Sequence, residues 1–532
     1  MKITLDTFGG IIPRILDPVL IPPNRSQVAT NCEFGSGGIT PLDTDLLDSV
    51  PAKTLAESLY EYYNLGSRYS FTWNTDVDAV RAPHLSDSYN RVYYTESGVF
   101  KVTDKNLFNQ AGTDYPMASR IPSPLAPTIT PIATGTASGA DPTLLETRGY
   151  VYTLVNGYGQ EGPPSAVSNL KDLYDGDLCT ITGMDVTAAT DYWITAKRIY
   201  RINQGTSGAE YQFVVEIAIA TSSYADTVLD ADLGEVLAST EWDGPPAGIS
   251  GLVSLPNGVL AGFVDNLVCF SVPYYPHAWP ASYQKAVDRD IVALGAYGTT
   301  VVVLTEGQPY LVIGNDPSNT VMERMDLGFS CLSKQGKVQA GEVVIYPCAE
   351  GLAAVGPGAS GIVTEEVIGQ DEWLANYSPS TIHAYYWQGK YVGFYGSTSG
   401  FIFDLKSKNL VDLDFYATAG FYDKTDGTLY LLVSGEIVKF TAGGSSREIN
   451  YLSKKYRFLP TCFGWVKVVA KTYPVKVDVI YRDIPYTIPK TVTSDEPVRL
   501  ETFLVDTCEI RVLGTEGVSA ILLTSTLEEM AL

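Results

Sequence analysis

The sequence predicts an all-β fold: a β-propeller of about six blades, interrupted by an inserted β-sandwich and followed by a smaller C-terminal one. Three observations predict it. Tyr (35), Gly (48) and Pro (31) are abundant among the 532 residues, which favours short strands joined by tight turns over long helices. A strand–turn–strand unit recurs at nearly constant spacing. A long stretch between the first such unit and the others is bracketed by proline- and glycine-rich connectors.

The recurring unit opens at a Gly-bearing turn, runs through an apolar strand, turns again and returns. One copy begins at Gly258, passes Val259 to Phe263, turns at Asp265-Asn266 and returns through Leu267 to Phe270. The next copies open at Gly298, Gly341, Gly389 and Gly427, so the starts differ by 40, 43, 48 and 38 residues. A strand-only period of about 40–50 residues is the spacing of propeller blades, whose faces are buried only by packing blade on blade. The rival is a sandwich with coincidental hairpin spacing. A sixth hairpin of the same shape, Arg91 to Thr95 and Val99 to Val102 around Ser97-Gly98, lies far upstream.

The simplest topology is therefore one blade, an insertion, then the remaining blades. Residues 1–50 read as an N-terminal arm, 51–121 as the first blade segment, 122–246 as the insert, 247–442 as the remaining blades and 449–532 as the C-terminal sandwich. Pro122, Pro124, Pro127 and Pro131 make a stiff entry to the insert, and Gly244-Pro245-Pro246-Ala247-Gly248 makes its exit. Tyr150 to Val155 and Arg198 to Ile202 read as strands, and Tyr211, Phe213, Val215 and Ile217 alternate with polar residues. The Tyr152-to-Ser165 stretch, with Tyr158-Gly159-Gln160-Glu161-Gly162-Pro163-Pro164-Ser165, resembles a fibronectin type III module of the immunoglobulin-like class. Gly443-Gly444-Ser445-Ser446 reads as a linker. Beyond it, Val475, Val477, Val479 and Tyr481 share one face, as do Cys508, Ile510 and Val512.

The chain carries 36 Lys+Arg against 60 Asp+Glu, a formal charge of -24. That excludes a protein that grips nucleic acid by neutralising phosphates, though not one that DNA passes without sticking. The cysteines, Cys32, Cys179, Cys269, Cys331, Cys348, Cys462 and Cys508, include no CxxC pair and sit in strand-like runs. They read as buried free thiols, in keeping with assembly in a reducing cytoplasm. The N-terminal residues lack a signal-peptide core, and no window approaches the ~18 apolar residues of a membrane span.

No catalytic, cofactor-binding or metal residue is expected, and the reading is of a non-enzyme. His84, His277 and His383 have no metal-ligand spacing, and the first two neighbour prolines and read as loop packing. Gly356-Pro357-Gly358-Ala359-Ser360-Gly361 matches G-x-G-x-x-G in form but lacks a βαβ setting, so it reads as a blade turn. Asp423 to Thr428 is a turn only, without the repeated box of sialidases. Asp230-Ala231-Asp232-Leu233-Gly234-Glu235 is too short for an EF-hand loop and reads as a capped turn. Two aromatic–proline clusters remain, Ser271 to Pro280 and Tyr69 to Pro83 running on to Thr95. They read as rigid rim loops, or as packing between blades, with Trp279 and Tyr275 in or beside a contact between blades or subunits.

Taken in order, these stretches resemble the tail nozzle (tubular tail, head-closure) proteins of short-tailed, podovirus-like bacteriophages. The series starts with Gln27-Val28-Ala29-Thr30-Asn31 and Gly38-Ile39-Thr40-Pro41-Leu42. It continues through Trp73 to Thr95, the Gly157-to-Ser165 loop, Phe270-Ser271-Val272-Pro273 with His277-Ala278-Trp279-Pro280, Val303 to Tyr310, Gly351 to Val355, and Ser525 to Met530. The resemblance spans nearly the whole chain. It implies a virion protein without cofactors, assembled in the host cytoplasm as a hexameric ring below the portal and adaptor at the head–tail connector. Tail fibres or tailspikes would be neighbours, and genomic duplex DNA would pass through the ring on ejection. No channel-gate loop is evident in the sequence. The alternative is a propeller that binds or cleaves carbohydrate, such as a receptor-binding protein.

Overall fold

The computed structural model describes every residue except 36, 52, 54, 65, 85, 86, 111–124, 188, 189, 206, 207, 483–485, 531 and 532. Pro122 and Pro124 of the expected entry connector lie outside the described residues. The fold is all-β and of propeller type. The two α-helices among the described residues, Lys105–Gln110 and Gln370–Asn376, are short. No helix among them is long and apolar enough to cross a membrane. The chain divides into two compact units, one of residues 1–75, 304–310 and 324–532, the other of residues 76–303 and 311–323.

In the first unit, consecutive strands make antiparallel meanders. Val338–Ala340, Val343–Cys348, Gly351–Gly356 and Ala359–Ile362 form one sheet. His383–Trp387, Lys390–Tyr395, Ser399–Asp404 and Leu410–Leu413 form the next. Ala419–Asp423, Thr428–Val433 and Glu436–Lys439 follow. Neighbouring sheets bury their faces against one another. Ile345, Leu352 and Ala354 share a core with Tyr391, Phe401 and Phe403, while Val392 and Phe394 share another with Leu429 and Leu431. The hairpin Ser58–Asn64 and Ser67–Trp73 caps the other face of the third sheet, where Leu59 meets Tyr430 and Leu432. Each such aliphatic or aromatic side chain withdrawn from water contributes about 1.5–3 kcal/mol, and the alternation of strand residues lets one sheet bury both faces in this way.

The segment expected as an N-terminal arm is woven into three sheets. Lys2–Leu5 pairs with Val518–Thr524, Lys2 opposite Thr524. Ser26–Thr30 joins the His383–Leu413 meander, with Thr30 opposite Asp412, to Ile449–Ser453. Leu46–Ser49 pairs with Glu436–Lys439 and completes a four-stranded sheet from the other end of the sequence. The expected linker is likewise no tether: the Gly443 amide donates to Thr44 O at 2.7 Å, and the Thr44 amide to Ser445 O at 2.6 Å. The C-terminal strands make a sandwich. The sheet containing Ile449–Ser453, Leu504–Gly514 and Val475–Tyr481 faces the one containing Lys2–Leu5, Val518–Thr524 and Trp465–Ala470. Val477, Val479, Ile510 and Val512 meet Ile3, Leu5, Val466 and Ile521 between them.

In the second unit, Val77–Arg81, Val92–Glu96 and Val99–Thr103 form a three-stranded meander. Ser250–Ser254, Leu260–Val264, Leu267–Phe270 and Gln284–Ala286 form a four-stranded one. The two pack through Tyr93, Phe100, Val102, Leu260 and Trp279. A further meander, Ile291–Tyr297, Thr300–Thr305, Tyr310–Ile313 and Val321–Arg324, continues the consecutive order, its residues 304, 305, 310 and 324 being counted with the first unit. The insert has one three-stranded sheet of Ile132–Gly135, Cys179–Thr182 and Tyr224–Asp226, and another of Tyr150–Asn156, Ile194–Gly205 and Gly208–Ala218. Ala133, Tyr150, Tyr152, Leu154, Ile181 and Ile199 form the core between them.

All the recurrent hairpins of the sequence are hairpins of the structure. Ser97 (φ 52°) and Gly98 (φ 76°) occupy a two-residue turn, as do Ser434 (φ 52°) and Gly435 (φ 83°), the left-handed pair that matches the twist of a tight hairpin. Gly356 pairs with Ala359 across a turn in which Gly358 has φ 71°, so the G-x-G-x-x-G match is a hairpin. Six of the seven cysteines are buried free thiols; Cys462, at the end of the edge strand Tyr456–Cys462, is exposed, which corrects the expectation of burial for it.

Candidate functional site

Three stretches singled out in the sequence converge in the second unit. They are residues 76–95 of the Trp73-to-Thr95 stretch, the insert loop 157–165 and the segment 270–280. The insert loop is shaped from within. Asn156 Oδ1 accepts the amides of Tyr158 (3.0 Å) and Gln160 (2.9 Å). Glu161 accepts from Thr153 Oγ1 (2.6 Å), Tyr200 Oη (2.7 Å) and Arg198 (3.0 Å). So shaped, the loop presents its tip to the meanders. Gln160 Nε2 donates to Tyr93 Oη at 3.0 Å, Tyr89 Oη donates to Gly157 O at 3.1 Å, and Tyr158 Oη donates to Asp104. Tyr158 also meets Tyr89 and Trp193 edge to face, at 5.1 and 4.9 Å between ring centres.

The third stretch closes the junction. Trp279 is 1 % exposed, and its Nε1 donates to Pro276 O at 3.0 Å. Its ring meets Phe100 edge-on at 5.8 Å, and Phe100 stacks on Tyr93 at 5.6 Å. The expected contact between sheets therefore holds for Trp279 within one chain. Tyr275 is 44 % exposed and leans on Trp242 at 4.4 Å. His277, 1 % exposed, donates from Nε2 to Glu161 O at 3.1 Å, and its Nδ1 has no partner among the described residues. Burial pushes its pKa down to about 3, with Arg91 adding to the fall and the Glu161 carbonyl opposing it. It is thus a neutral ring that ties loop to loop.

Beside this junction opens a cleft of about 410 Å³, lined among others by His84, Asp87, Ser88, Arg91, Tyr158 and Tyr274. Asp87 Oδ2 accepts from Arg91 twice, from the backbone amide at 2.7 Å and from Nε at 2.9 Å. Burial raises the Asp87 pKa, but those two bonds and the charge of Arg91 outweigh it and hold the carboxyl below its ordinary value. The guanidinium carbon stands 5.3 Å from the Tyr158 ring centre. The carboxylate therefore orients Arg91, and the pair meets the cleft as a neutral, hydrogen-bonding wall. Sequence reasoning took Arg91 as a strand residue and missed Asp87. A four-residue spacing signals an ion pair on a helix, and these residues flank a loop.

A second polar cluster lies in the insert. Glu146, Asp175 and Asp230 each bring a carboxylate oxygen within 4.8 Å of the others. Two buried arginines answer that charge: Arg201 pairs with Asp230 at 2.6 Å and Asp226 at 2.9 Å, and Arg148 lies 3.7 Å from Glu146 and 3.8 Å from Asp175. Asp230 opens a 3₁₀ turn whose first amide donates to Asp175 Oδ1 at 3.0 Å, so the turn is capped by a carboxylate from elsewhere in the insert and is tied down further by Arg201. His383 is buried, with Nε2 donating to Ala417 O at 2.7 Å. Asp423 and Asp426 serve their own turn, accepting the amides of Thr425 (2.7 Å) and Thr428 (2.8 Å).

No protein-family model and no curated protein matches this chain. Among solved structures it is similar to BamB from Moraxella catarrhalis, at 11 % identity over 82 % of this chain and 95 % of that one, with a TM-score of 0.29. It is also similar to U3-55K, at 8 % identity over 74 % of this chain and 99 % of that one, with a TM-score of 0.29.

Proposed function

We propose that this chain is a structural virion protein, the tail nozzle of a short-tailed bacteriophage, which closes the DNA-filled head and forms the distal channel for ejection. The reading rests on the fixed order of motifs along the sequence. It is supported by the junction at which residues 76–95, 157–165 and 270–280 come together, since stretches far apart in sequence form one structural unit. The formal charge of -24 suits a conduit. A basic lumen would hold duplex DNA by counterion release, whereas an acidic one repels it. The ring is a hexamer seated on the portal and adaptor, with fibres or tailspikes as neighbours.

The test is negative-stain microscopy of the pure protein mixed with a portal–adaptor complex. A ring of copies at the distal end of the complex is the expected result; its absence at saturating protein would overturn the nozzle. A gel-shift series over salt concentration checks the conduit separately. No retardation of duplex DNA at physiological salt is expected, and tight, salt-sensitive binding would contradict a slippery channel.

A further inference from the structure

The cleft beside the junction has chemistry that the junction does not use. We infer that it is a binding site for a neutral, hydroxyl-rich ring, the pyranose of a saccharide, with Tyr274 as the stacking platform. The inference stands apart from the nozzle reading.

Its size is the first support: about 410 Å³ falls within the ~300–1,000 Å³ of small-molecule sites. Tyr274 is the second. It is 53 % exposed at the cleft, yet its backbone sits at φ 65°, a left-handed conformation that is unfavourable for a bulky residue. Its amide donates to Gly258 O at 2.7 Å. A Cβ on Gly258 would lie 2.6 Å from the Tyr274 ring, so only glycine there leaves room for the ring. Strain and a glycine together hold an aromatic ring half in water beside His84, 5.8 Å away, an arrangement that gains little for folding itself.

Charge decides the ligand class. Arg91 is the one guanidinium or ammonium group among the described lining residues, and Asp87 already neutralises it. An anion would find no net attraction there, on a chain of charge -24. A wholly apolar ligand would cover the Ser88 hydroxyl and the Asp87–Arg91 pair without offering them hydrogen bonds. A pyranose satisfies both walls: its C–H face lies on an aromatic ring, and its hydroxyls donate to Asp87 and accept from Arg91 and Ser88.

The test is saturation-transfer NMR and calorimetry on the full chain with neutral methyl pyranosides and disaccharides, glucuronate and glucose 6-phosphate serving as anionic comparators. At least one neutral saccharide is expected to bind, and Tyr274→Ala to weaken it about tenfold, the size of one lost aromatic contact. Tyr274→Phe, which keeps the ring, should retain binding, and Ser88→Ala should weaken it while the melting temperature stays put. Three results would each overturn the assignment: no neutral saccharide binds, only the anionic comparators bind, or binding is indifferent to both Tyr274→Ala and Ser88→Ala. If Tyr274→Ala fails to fold, the Phe and Ser88 variants decide alone.

Discussion

Arg68 holds its guanidinium carbon 4.0 Å from the centre of the Tyr430 ring. From there it reaches Asp48 at 2.5 Å and Glu61 at 2.7 Å. One arginine thus joins Leu46–Ser49, the strand that completes a sheet, to the Ser58–Trp73 hairpin and to Thr428–Val433. Glu61 is 4 % exposed and also accepts from Ser70 Oγ at 2.9 Å.

That arrangement gives a pH dependence of definite sign. Burial pushes the Glu61 pKa up from 4.5 to about 7, against the opposing pull of Arg68 and Ser70. Between those values the folded chain keeps a proton that the unfolded chain releases. Stability from this group is therefore greatest below pH 4.5 and declines as pH rises to about 7. Glu61→Gln should flatten that decline in thermal melts taken across the window, since Asp48 still neutralises Arg68. An unchanged profile would falsify the assignment of a protonated Glu61.

His277 works in the opposite sense. Its pKa falls from 6.5 to about 3 in the folded chain, so the unfolded chain takes up a proton that the folded one refuses. Its neutral ring stabilises fully above pH 6.5 and progressively less as pH falls towards 3. His277→Gln is expected to lower stability at pH 8 while reducing the further loss on acidification. Chemical denaturation at a series of pH values reads both effects.

Trp279 and Tyr275 should separate cleanly by mutation. Trp279→Ala removes a side chain that is 1 % exposed and empties the space against Phe100, at a cost of about 3–5 kcal/mol. Tyr275→Ala removes a half-exposed ring and should cost about 1 kcal/mol. Calorimetry should show a clearly lowered transition for the first and a small shift for the second. Equal melting for both would mean that Trp279 is not the keystone of the junction.

Thiol chemistry gives a direct check on the edge of the C-terminal sandwich. Cys462 is exposed and the other six cysteines are buried. A chromogenic disulfide reagent should release one equivalent from the native chain and seven after denaturation, and Cys462→Ser should abolish the native signal.

The hairpins were legible because their information is local. Period-two alternation and turn residues that tolerate positive φ, such as Ser97-Gly98, specify a strand pair within a dozen residues. The pairings made by the first 50 residues were not legible. Leu46 and Leu47 are exposed, so their pattern resembles a loose segment, and their partners Lys439 and Val438 lie about 390 residues downstream. Of the candidate site, the sequence marked Tyr274 and Trp279 through their aromatic–proline setting, and Tyr158 through the fibronectin-like insert loop. It gave no hint that Asp87 neutralises Arg91, because that depends on how a loop folds back.

The pairing of Lys2 with Thr524 has a consequence for synthesis. Lys2–Leu5, Ser26–Thr30 and Leu46–Ser49 leave the ribosome well before their partners, since each finds strand partners only beyond residue 400. At ~5–20 residues per second, these strands wait roughly 20 to 100 seconds with unpaired edges. Middle sheets can form while the chain grows, but the first unit cannot close until its last strands are made. Ribosomes stalled in the C-terminal part would release chains with open strand edges, the form most prone to aggregate.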